Sequence, residues 1–530
     1  MVFVEAHDYR FRYPGGEQDA LAIDSLTIEQ GSFCVVAGAS GSGKTTFLAQ
    51  LSGSVGRKGN EEGTLKRMAE QTACVWQNPQ TQIVTDRTEY EIVFGLENQG
   101  MPRDQMERRL AEVVTYFGLE EWMECDTMTL SGGQMQSLTI ASAIAMNPDL
   151  LLLDEPTSQL DPVAAGKIYE LLRQINEELG ITVIVSEQRL DKVIALADQM
   201  IWMRQGKIVA EGTPQEVWQC MGGRERRDFF PEYANLSWLC GKEETLILSP
   251  KKARMWFEAN YEERKENSRE KGKEIERAEE NVTMQDLCFR FTKKGKDVVR
   301  ECSASFPIGA ITCIVGGNGS GKTTLLEILS GRYRPYRGTV RQMPNRTAML
   351  PQQPRYLFVE DTLGEIFQKN ERIRELAEYF GINRERDRHP RDLSGGELQR
   401  LALASVFAKD CECYLLDEPT KGLDRENKRK LGSYLKELVK ENKTVILVSH
   451  DMEFAARYAS YMALMFRGQI PLVTDHNRFF IENQFYTTGL NRVASGVSAR
   501  IVIEEDIEVY AEKKVVESFV ADGDSQSFVV

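Results

Sequence analysis

The sequence contains the same ordered set of short motifs twice, and this internal repeat constrains the fold more than any other feature. The serine of LSGG precedes the aspartate of LLDEP by 23 positions in both copies, as the step from Ser131 to Asp154 shows. A chain of 530 residues with such a repeat is predicted to fold into two similar domains in tandem. The paired runs are GASGSGKTT (38–46) and GGNGSGKTT (316–324), WQNP (76–79) and PQQP (351–354), LSGGQ (130–134) and LSGGE (393–397), and LLLLDEPTSQLD (150–161) and YLLDEPTKGLD (414–424).

A glycine-rich run that ends in Lys-Thr follows an apolar stretch in each copy. SFCVVAG and AITCIVG indicate buried strands, and TTFLAQLSG indicates the start of a helix. In this context the pattern predicts a phosphate-binding loop, because backbone N–H groups turn inward around phosphate oxygens. Lys44 and Lys322 are expected to reach the β- and γ-phosphates of ATP. The other loop residues expected to bind nucleotide are Gly38, Ser40, Gly41, Gly43, Thr45, Thr46, Gly316, Asn318, Gly319, Gly321, Thr323 and Thr324.

Each copy also ends an apolar run in two adjacent acids. LLLLDE and CYLLDE are predicted to be buried parallel strands, so the acids lie at the carboxyl edge of a sheet. Asp154 and Asp417 are predicted to bind Mg²⁺, together with the hydroxyl groups of Thr45 and Thr323. The glutamate that follows each aspartate can orient and polarise an attacking water. Those glutamates are Glu155 and Glu418. The alternative interpretation is that these are surface acids that merely end a strand.

LSGGQ and LSGGE are similar to the signature motif of the ATP-binding-cassette (ABC) ATPases. Together with the loops and the acids, they make the chain resemble two ATPase domains of that family over nearly all of residues 1–470. This resemblance implies an α/β fold with two P-loop NTPase cassettes, each with a mostly parallel sheet, a helical signature subdomain and a small C-terminal appendage. It also implies that the cassettes pair head to tail within the chain, so that each signature faces the other copy's loop across ATP. Under this resemblance, site one adds Gln77, Asp154, Glu155, Gln188, Ser394, Gly395, Gly396 and Glu397 to the first loop. Site two adds Gln352, Asp417, Glu418, His450, Ser131, Gly132, Gly133 and Gln134 to the second loop, with Gln77 and Gln352 also expected near Mg²⁺.

Two pairs of positions are interpreted from the same resemblance. Tyr13 and Phe291 are expected to stack on adenine, although either could simply be a strand residue. TVILVSH ends at His450, the family's switch histidine, whereas the matching TVIVSEQ ends at Gln188. A neutral amide can bond a γ-phosphate, but it cannot titrate or carry positive charge. We therefore expect site two to hydrolyse ATP fast and site one to hydrolyse it slowly or mainly to hold it.

The motif order divides the chain into five parts. Lys44 and Ser131 are 87 positions apart, against 72 for the second copy, so the first copy has an insertion around residues 99–123. We expect the two cassettes to differ in function in this region. Residues 258–281, between the two copies, are highly charged and lack apolar periodicity. They are predicted to form a solvated, partly helical linker. The predicted parts are a first cassette (1–222), its appendage (223–257), the charged linker (258–281), a second cassette (282–470) and a second appendage (471–530).

WQNPQTQIVTDRTEYEIVFGLEN (76–98) resembles the ATPases of energy-coupling-factor importers, which take up vitamins and transition-metal ions. The second copy keeps this pattern only in part. Asn78 and Pro79 can start a short helix after Gln77, which could form one wall of a groove for a partner's coupling helix. The resemblance implies a peripheral ATPase on the cytoplasmic face of the cell membrane. Its partners would be integral transmembrane subunits and a substrate-binding membrane subunit that selects the cargo.

Composition bears on the competing functions. The net charge of −14 and the pI of about 5.2 argue against nucleic acid held on a broad basic surface. There is no run of about 18 apolar residues that could span a bilayer. A tandem-cassette ATPase acting on the ribosome is the main alternative, but it would favour a long basic helical linker, and this linker is short and of mixed charge. A DNA-repair or chromosome-organising ATPase would need zinc cysteines or long coiled coils, which the sequence lacks.

Overall fold

The chain folds into two similar α/β units that follow the order of the repeat, and helices from both C-terminal appendages pack together. The computed structural model describes residues 1–16, 18–53, 59–158, 160, 162–188, 190–241, 245–264, 281–382 and 387–514. Most of the predicted linker, residues 265–280, lies outside the described residues.

One mixed sheet organises the first unit. Its order is β4-β1-β2-β9-β8-β3-β7-β6-β5, and pairing is parallel from β8 through β3, β7 and β6 to β5. β3 and β6 are buried along their whole length, which explains their uninterrupted apolar sequences. The strands are β1 (Val2–Arg12), β2 (Leu21–Glu29), β3 (Phe33–Ala37), β4 (Asn60–Arg67), β5 (Thr72–Val75), β6 (Leu150–Asp154), β7 (Thr182–Glu187), β8 (Gln199–Arg204) and β9 (Lys207–Gly212).

The helices of the first unit are α1 (Lys44–Ser52), α2 (Pro79–Gln82), α3 (Thr88–Asn98), α4 (Arg103–Phe117), α5 (Gly132–Ala145), α6 (Pro162–Leu179) and α7 (Pro214–Cys220). α3, α4 and α5 form a helical layer with its own apolar core, which includes Ile92 and Leu138. The short helix predicted after Gln77 is confirmed as α2. The Asn78 side chain accepts a hydrogen bond from the Gln80 N–H, and Pro79 occupies the first turn.

The first appendage continues from this unit with α8 (Gly223–Phe229), α9 (Leu236–Leu239), α10 (Pro250–Asn260) and β10 (Tyr261–Glu263). The predicted boundary at residue 257 falls inside α10. The helix runs on to Asn260 because Phe257 is fully buried and Tyr261, just after the helix, stacks on it at 4.9 Å between ring centroids.

The second unit repeats the architecture with two sheets, of order β12-β11-β14 and β15-β16-β17-β13-β18-β19. α3 and α4 have 11 and 15 residues, whereas α12 and α13 have 7 and 9, so much of the first copy's extra length lies in longer helices. The elements are β11 (Asn281–Phe289), β12 (Val299–Pro307), β13 (Ile311–Val315), α11 (Lys322–Leu329), β14 (Arg337–Arg341), β15 (Thr347–Leu350), α12 (Leu363–Lys369), α13 (Glu371–Tyr379), α14 (Gly395–Phe407), β16 (Cys413–Asp417), α15 (Arg425–Lys440), β17 (Thr444–Val448), α16 (Met452–Tyr458), β18 (Tyr461–Phe466) and β19 (Gln469–Asp475).

The second appendage interlocks with the first. It contains α17 (His476–Glu482), α18 (Gly489–Ala494), α19 (Glu504–Tyr510) and β20 (Ala511–Lys513), and β20 pairs antiparallel with β10. Phe257 of the first appendage shares one apolar core with Leu490 and Val493 of the second. The predicted boundary at residue 470 falls inside β19. The five-part division of the chain otherwise stays a prediction.

The predicted fold class, two α/β cassettes with mostly parallel central strands and helical parts, is confirmed. Across the part of the chain that the structure describes, we find no helix with the length and apolar character needed to cross a membrane.

Candidate functional site

Both predicted phosphate loops have the same geometry. α1 and α11 begin at Lys44 and Lys322, whose buried ammonium groups donate to the carbonyl oxygens of Gly38 (2.9 Å) and Gly316 (2.8 Å). A Cβ atom at Gly38 would overlap the carbonyl oxygen of Met203 on β8, so only glycine fits there. Each lysine therefore lies coiled back on its own loop. The exposed loop tips contain Ser40, Gly41, Asn318 and Gly319.

The acids of site one are held by a dense set of hydrogen bonds. Asp154 accepts from the Thr45 hydroxyl at 2.7 Å. Glu155 accepts from the side-chain amides of Gln77 (2.9 Å) and Gln188 (2.6 Å), and its carboxylate lies 3.6 Å from the Lys44 ammonium. Burial raises the pKa of Glu155, and Lys44 opposes the rise. The structure thus brings together six of the predicted site-one residues.

The acids of site two are less restrained. Both carboxylate oxygens of Asp417 are buried and make no hydrogen bond of standard geometry in the described part of the chain. Burial raises the pKa of Asp417 to about 6, and the Thr323 hydroxyl opposes the rise. Burial and the adjacent Asp417 raise the pKa of Glu418 to about 7. His450 donates its backbone N–H to Glu418 at 3.3 Å, and its imidazole Nε2 lies 3.5 Å from the same carboxylate. Gln352 is exposed in the loop after β15.

Each signature begins a helix with a reciprocal cap. Ser131 caps α5 and bonds with Gln134, and Ser394 caps α14 and bonds with Glu397. The caps leave the N-terminal N–H groups and the positive end of each helix dipole at the signature, which suits an anion.

The second signature lies close to the first phosphate loop. A Cβ atom built on Gly396, in the second signature, would lie 3.8 Å from the Ser40 hydroxyl oxygen of the first phosphate loop. The two residues are far apart in sequence, so this approach brings the second signature beside the first phosphate loop. The matching approach of Ser131 to the Lys322 loop stays a prediction.

The two aromatic side chains predicted to stack on adenine lie beside their loops. The Tyr13 hydroxyl is 3.0 Å from the Thr46 hydroxyl at the start of α1. Phe291 is 59 % exposed and packs edge-on against Phe289 and Tyr333. Its exposed ring leaves a flat apolar face available to a planar ligand.

Sequence reasoning missed part of site one. The Ser186 hydroxyl donates to Asp154 at 2.6 Å, and the neighbouring Glu187 is buried, with its pKa raised to about 7 by burial. The signal was present in the repeat, because TVIVSEQ aligned on TVILVSH replaces Ser449 with Glu187 at the end of a buried strand.

The comparisons with known proteins agree with this geometry. A family model described as ABC transporter matches residues 21–158 and 299–421. A Bacillus cereus protein named as an ABC transporter ATP-binding protein is 36% identical over 93% of this chain and 95% of its own length. A Methanosarcina mazei protein with a similar name is 30% identical over 89% of this chain and 88% of its own. This chain belongs to the ABC transporter family; it carries two ATP-binding cassettes and is an ATPase.

Solved structures share the fold. RNase-L Inhibitor matches with a TM-score of 0.58 at 21% identity, covering 96% of both chains. The archaeal ribosome recycling factor aABCE1, solved with a ribosomal stalk protein, matches with a TM-score of 0.59 at 24% identity, covering 92% of both chains. At these identities the likeness concerns the tandem-cassette architecture alone.

Proposed function

We propose that the chain powers membrane import as the ATPase subunit of an energy-coupling-factor type transporter, with two ATP sites formed between its cassettes. The observation that carries this proposal is the position of Gly396 beside Ser40, because it supports a site one formed by both cassettes. A signature that reaches phosphate only when the cassettes close gives ATP a higher affinity for the closed state. ATP binding can then close the pair, and hydrolysis can reopen it.

Mg²⁺ is proposed to accompany ATP at each site. The buried oxygens of Asp417, which make no hydrogen bond of standard geometry among the described residues, fit a hard cation, and the Thr45 hydroxyl beside Asp154 offers a second oxygen of the same kind. The described residues include no cluster of three or more His, Cys, Asp or Glu that could hold an ion. Phosphate oxygens and water would therefore complete the coordination. The ion would neutralise charge on the transferred phosphoryl group.

The two sites are proposed to differ in rate. Glu418 is placed as the base that orients water at site two, where His450 can bond the γ-phosphate and carry positive charge. At site one, Gln188 and Gln77 already donate to both oxygens of Glu155. These two bonds fix the Glu155 carboxylate and leave a free acceptor position on each oxygen for water, but Gln188 can neither titrate nor carry positive charge. Site one is therefore proposed to hydrolyse ATP slowly.

The surface near each glutamine loop supports a membrane partner. Tyr90 and Phe94, one turn apart on α3, are 52% and 43% exposed, and Val84 beside α2 is 64% exposed. In the second cassette a cavity of about 330 Å³ is lined by Tyr356, Val359 and neighbouring residues. Exposed apolar groups of this kind suit the apolar face of an amphipathic helix. We assign that helix to a transmembrane subunit at the cytoplasmic face of the cell membrane, with a separate membrane subunit selecting a vitamin or metal ion.

Introducing charge on α3 tests this assignment. Replacing Tyr90 and Phe94 together by glutamate is expected to reduce copurification with small integral membrane proteins about tenfold, because the apolar contact would be lost. Their recovery from detergent-solubilised membranes is the measurement. Val209→Glu, at a 52% exposed position on β9, is the matched control and should leave recovery unchanged. Recovery of ribosomes in place of membrane proteins would contradict the importer and favour the ribosomal alternative.

The adenine contacts predict a change in nucleotide affinity. Tyr13→Ala and Phe291→Ala are each expected to raise the KM for ATP about fivefold or more, since an aromatic stacking contact contributes about 1–3 kcal/mol. Tyr13→Phe removes only the hydroxyl beside Thr46 and should keep the KM close to that of the unchanged protein. A KM unaffected by both alanine variants would show that these rings are strand residues without a ligand.

A further inference from the structure

A buried carboxylate lies behind the acids of site one. Glu187, at the end of β7, is 3% exposed. Its Oε1 atom accepts a hydrogen bond from the Tyr169 hydroxyl at 2.5 Å and another from the Thr157 hydroxyl at 2.9 Å. The two hydroxyl groups are 3.1 Å apart, so the three side chains form a closed triangle. Burying a carboxylate costs several kcal/mol unless it is well hydrogen-bonded, and the two hydroxyl groups supply those hydrogen bonds.

The second cassette fills the same space differently. Ser449 occupies the position that corresponds to Glu187, and its hydroxyl lies 3.3 Å from that of Thr420. The position that corresponds to Tyr169 is Gly432, where a Cβ atom would overlap the ring of Tyr458. The two cassettes therefore share the threonine. Among the described residues, a carboxylate and a phenol hydrogen-bond it in the first cassette, and a serine hydroxyl takes their place in the second.

The anchored threonine belongs to a strained turn. Glu155 has a left-handed backbone with φ of +45°, and Glu418 has the same conformation in the second cassette with φ of +49°. A non-glycine residue keeps this conformation only when its surroundings hold it, and the two cassettes hold it with different side chains. The N–H of Glu155 donates to the carbonyl oxygen of Ser186 at 3.1 Å. Three successive residues of β7 and its end thus hold the turn. Ser186 bonds the Glu155 backbone, Glu187 bonds Thr157, and Gln188 bonds the Glu155 carboxylate.

We propose that Glu187 is a positioning residue for ATP hydrolysis at site one, where it fixes the turn that carries Glu155 through the hydroxyl groups of Thr157 and Tyr169. Glu187 touches neither nucleotide nor water in this proposal. It acts by keeping the Glu155 carboxylate at its place beside Gln77 and Gln188. The inference rests on the proposed role of Glu155 as the base of site one.

The test measures each site by itself. Single-turnover ATP hydrolysis in a Glu418→Gln background reports on site one, and the same measurement in a Glu155→Gln background reports on site two. Glu187→Ala is expected to lower the site-one rate about tenfold with the KM for ATP unchanged, because a misplaced base slows chemistry without weakening binding. Glu187→Gln keeps an acceptor oxygen for both hydroxyl groups and should restore most of the rate.

Two further variants separate positioning from general stability. Tyr169→Phe removes one donor and keeps the ring in the core, and it should lower the site-one rate about threefold. Ser449→Ala, the counterpart in the second cassette, should leave the site-one rate unchanged. Thermal unfolding of every variant is recorded beside the rates.

The results distinguish the inference from the function on which it rests. Equal losses at both sites, a change in KM alone, or a site-one rate within twofold of the background for Glu187→Ala and Tyr169→Phe would overturn the positioning role. If adding Glu155→Gln to the Glu418→Gln background did not reduce the residual turnover, the proposed base itself would be wrong.

Discussion

Replacing Glu418 with glutamine is expected to lower the steady-state ATP turnover of the chain by about a hundredfold, whereas Glu155→Gln should lower it less than about threefold. The difference follows from the surroundings of the two carboxylates. Glu418 lies 3.5 Å from a histidine that can carry charge, next to an aspartate whose buried oxygens make no hydrogen bond of standard geometry among the described residues. Glu155 is occupied on both oxygens by the amides of Gln77 and Gln188.

Steady-state kcat and KM for the two single variants, measured in the same buffer at saturating Mg²⁺, check this prediction. Glutamine keeps the size of the side chain and removes only its basicity, so the KM should change little in either variant. Gln188→His is the informative companion, because it gives site one the switch residue of site two and should raise turnover at site one. Equal losses in Glu155→Gln and Glu418→Gln would contradict the asymmetry.

Much of the architecture could be predicted from the repeat because its determinants are local. A glycine-rich loop between an apolar run and a helix, as before Lys44, fixes strand, loop and helix in a few residues. The short helix at Asn78 and Pro79 was predictable for the same reason, since its cap and its first turn are adjacent in sequence.

The remainder depends on contacts between distant segments, which no local pattern contains. Tyr169 and Glu187 meet across 18 positions, and only the comparison of one copy with the other marks Glu187 as unusual. The pairing of β10 with β20 joins the middle of the chain to its end, and the sequence of either strand gives no sign of its partner. The ion pairs between the first appendage and the second cassette were equally unpredictable, because they join residues about 200 positions apart. These pairs are Arg224 with Glu426 and Asp228 with Arg429.

At pH 9, where Glu232 is ionised beside its partner, Arg457→Ala is expected to lower the free energy of unfolding by about 3 kcal/mol, because it leaves a buried carboxylate without its main partner. Arg457 on α16 of the second cassette bonds Glu232 of the first appendage at 3.0 Å, and the exposed fractions of the two side chains are 22% and 2%. The second Glu232 oxygen has no hydrogen-bond partner among the described residues, and Arg425 is the next guanidinium at 3.5 Å. Chemical denaturation of the whole chain measures the change. Arg478→Ala breaks an exposed pair with Glu482 and should have no measurable effect.

The size of this loss should depend on pH in a defined direction. Burial raises the pKa of Glu232 to about 8, with Glu453 adding to the rise and the guanidinium groups of Arg457 and Arg425 opposing it. Removing Arg457 raises this pKa further. When the pKa of a carboxyl group is higher in the folded chain than in the unfolded chain, the free energy of unfolding falls as pH rises from the unfolded pKa toward the folded pKa. The deficit of Arg457→Ala should therefore be larger at pH 9 than at pH 6. A deficit that is constant with pH, or that is no larger than that of Arg478→Ala, would show that Glu232 is not held by this pair and that the appendage docks on the second cassette by apolar packing alone.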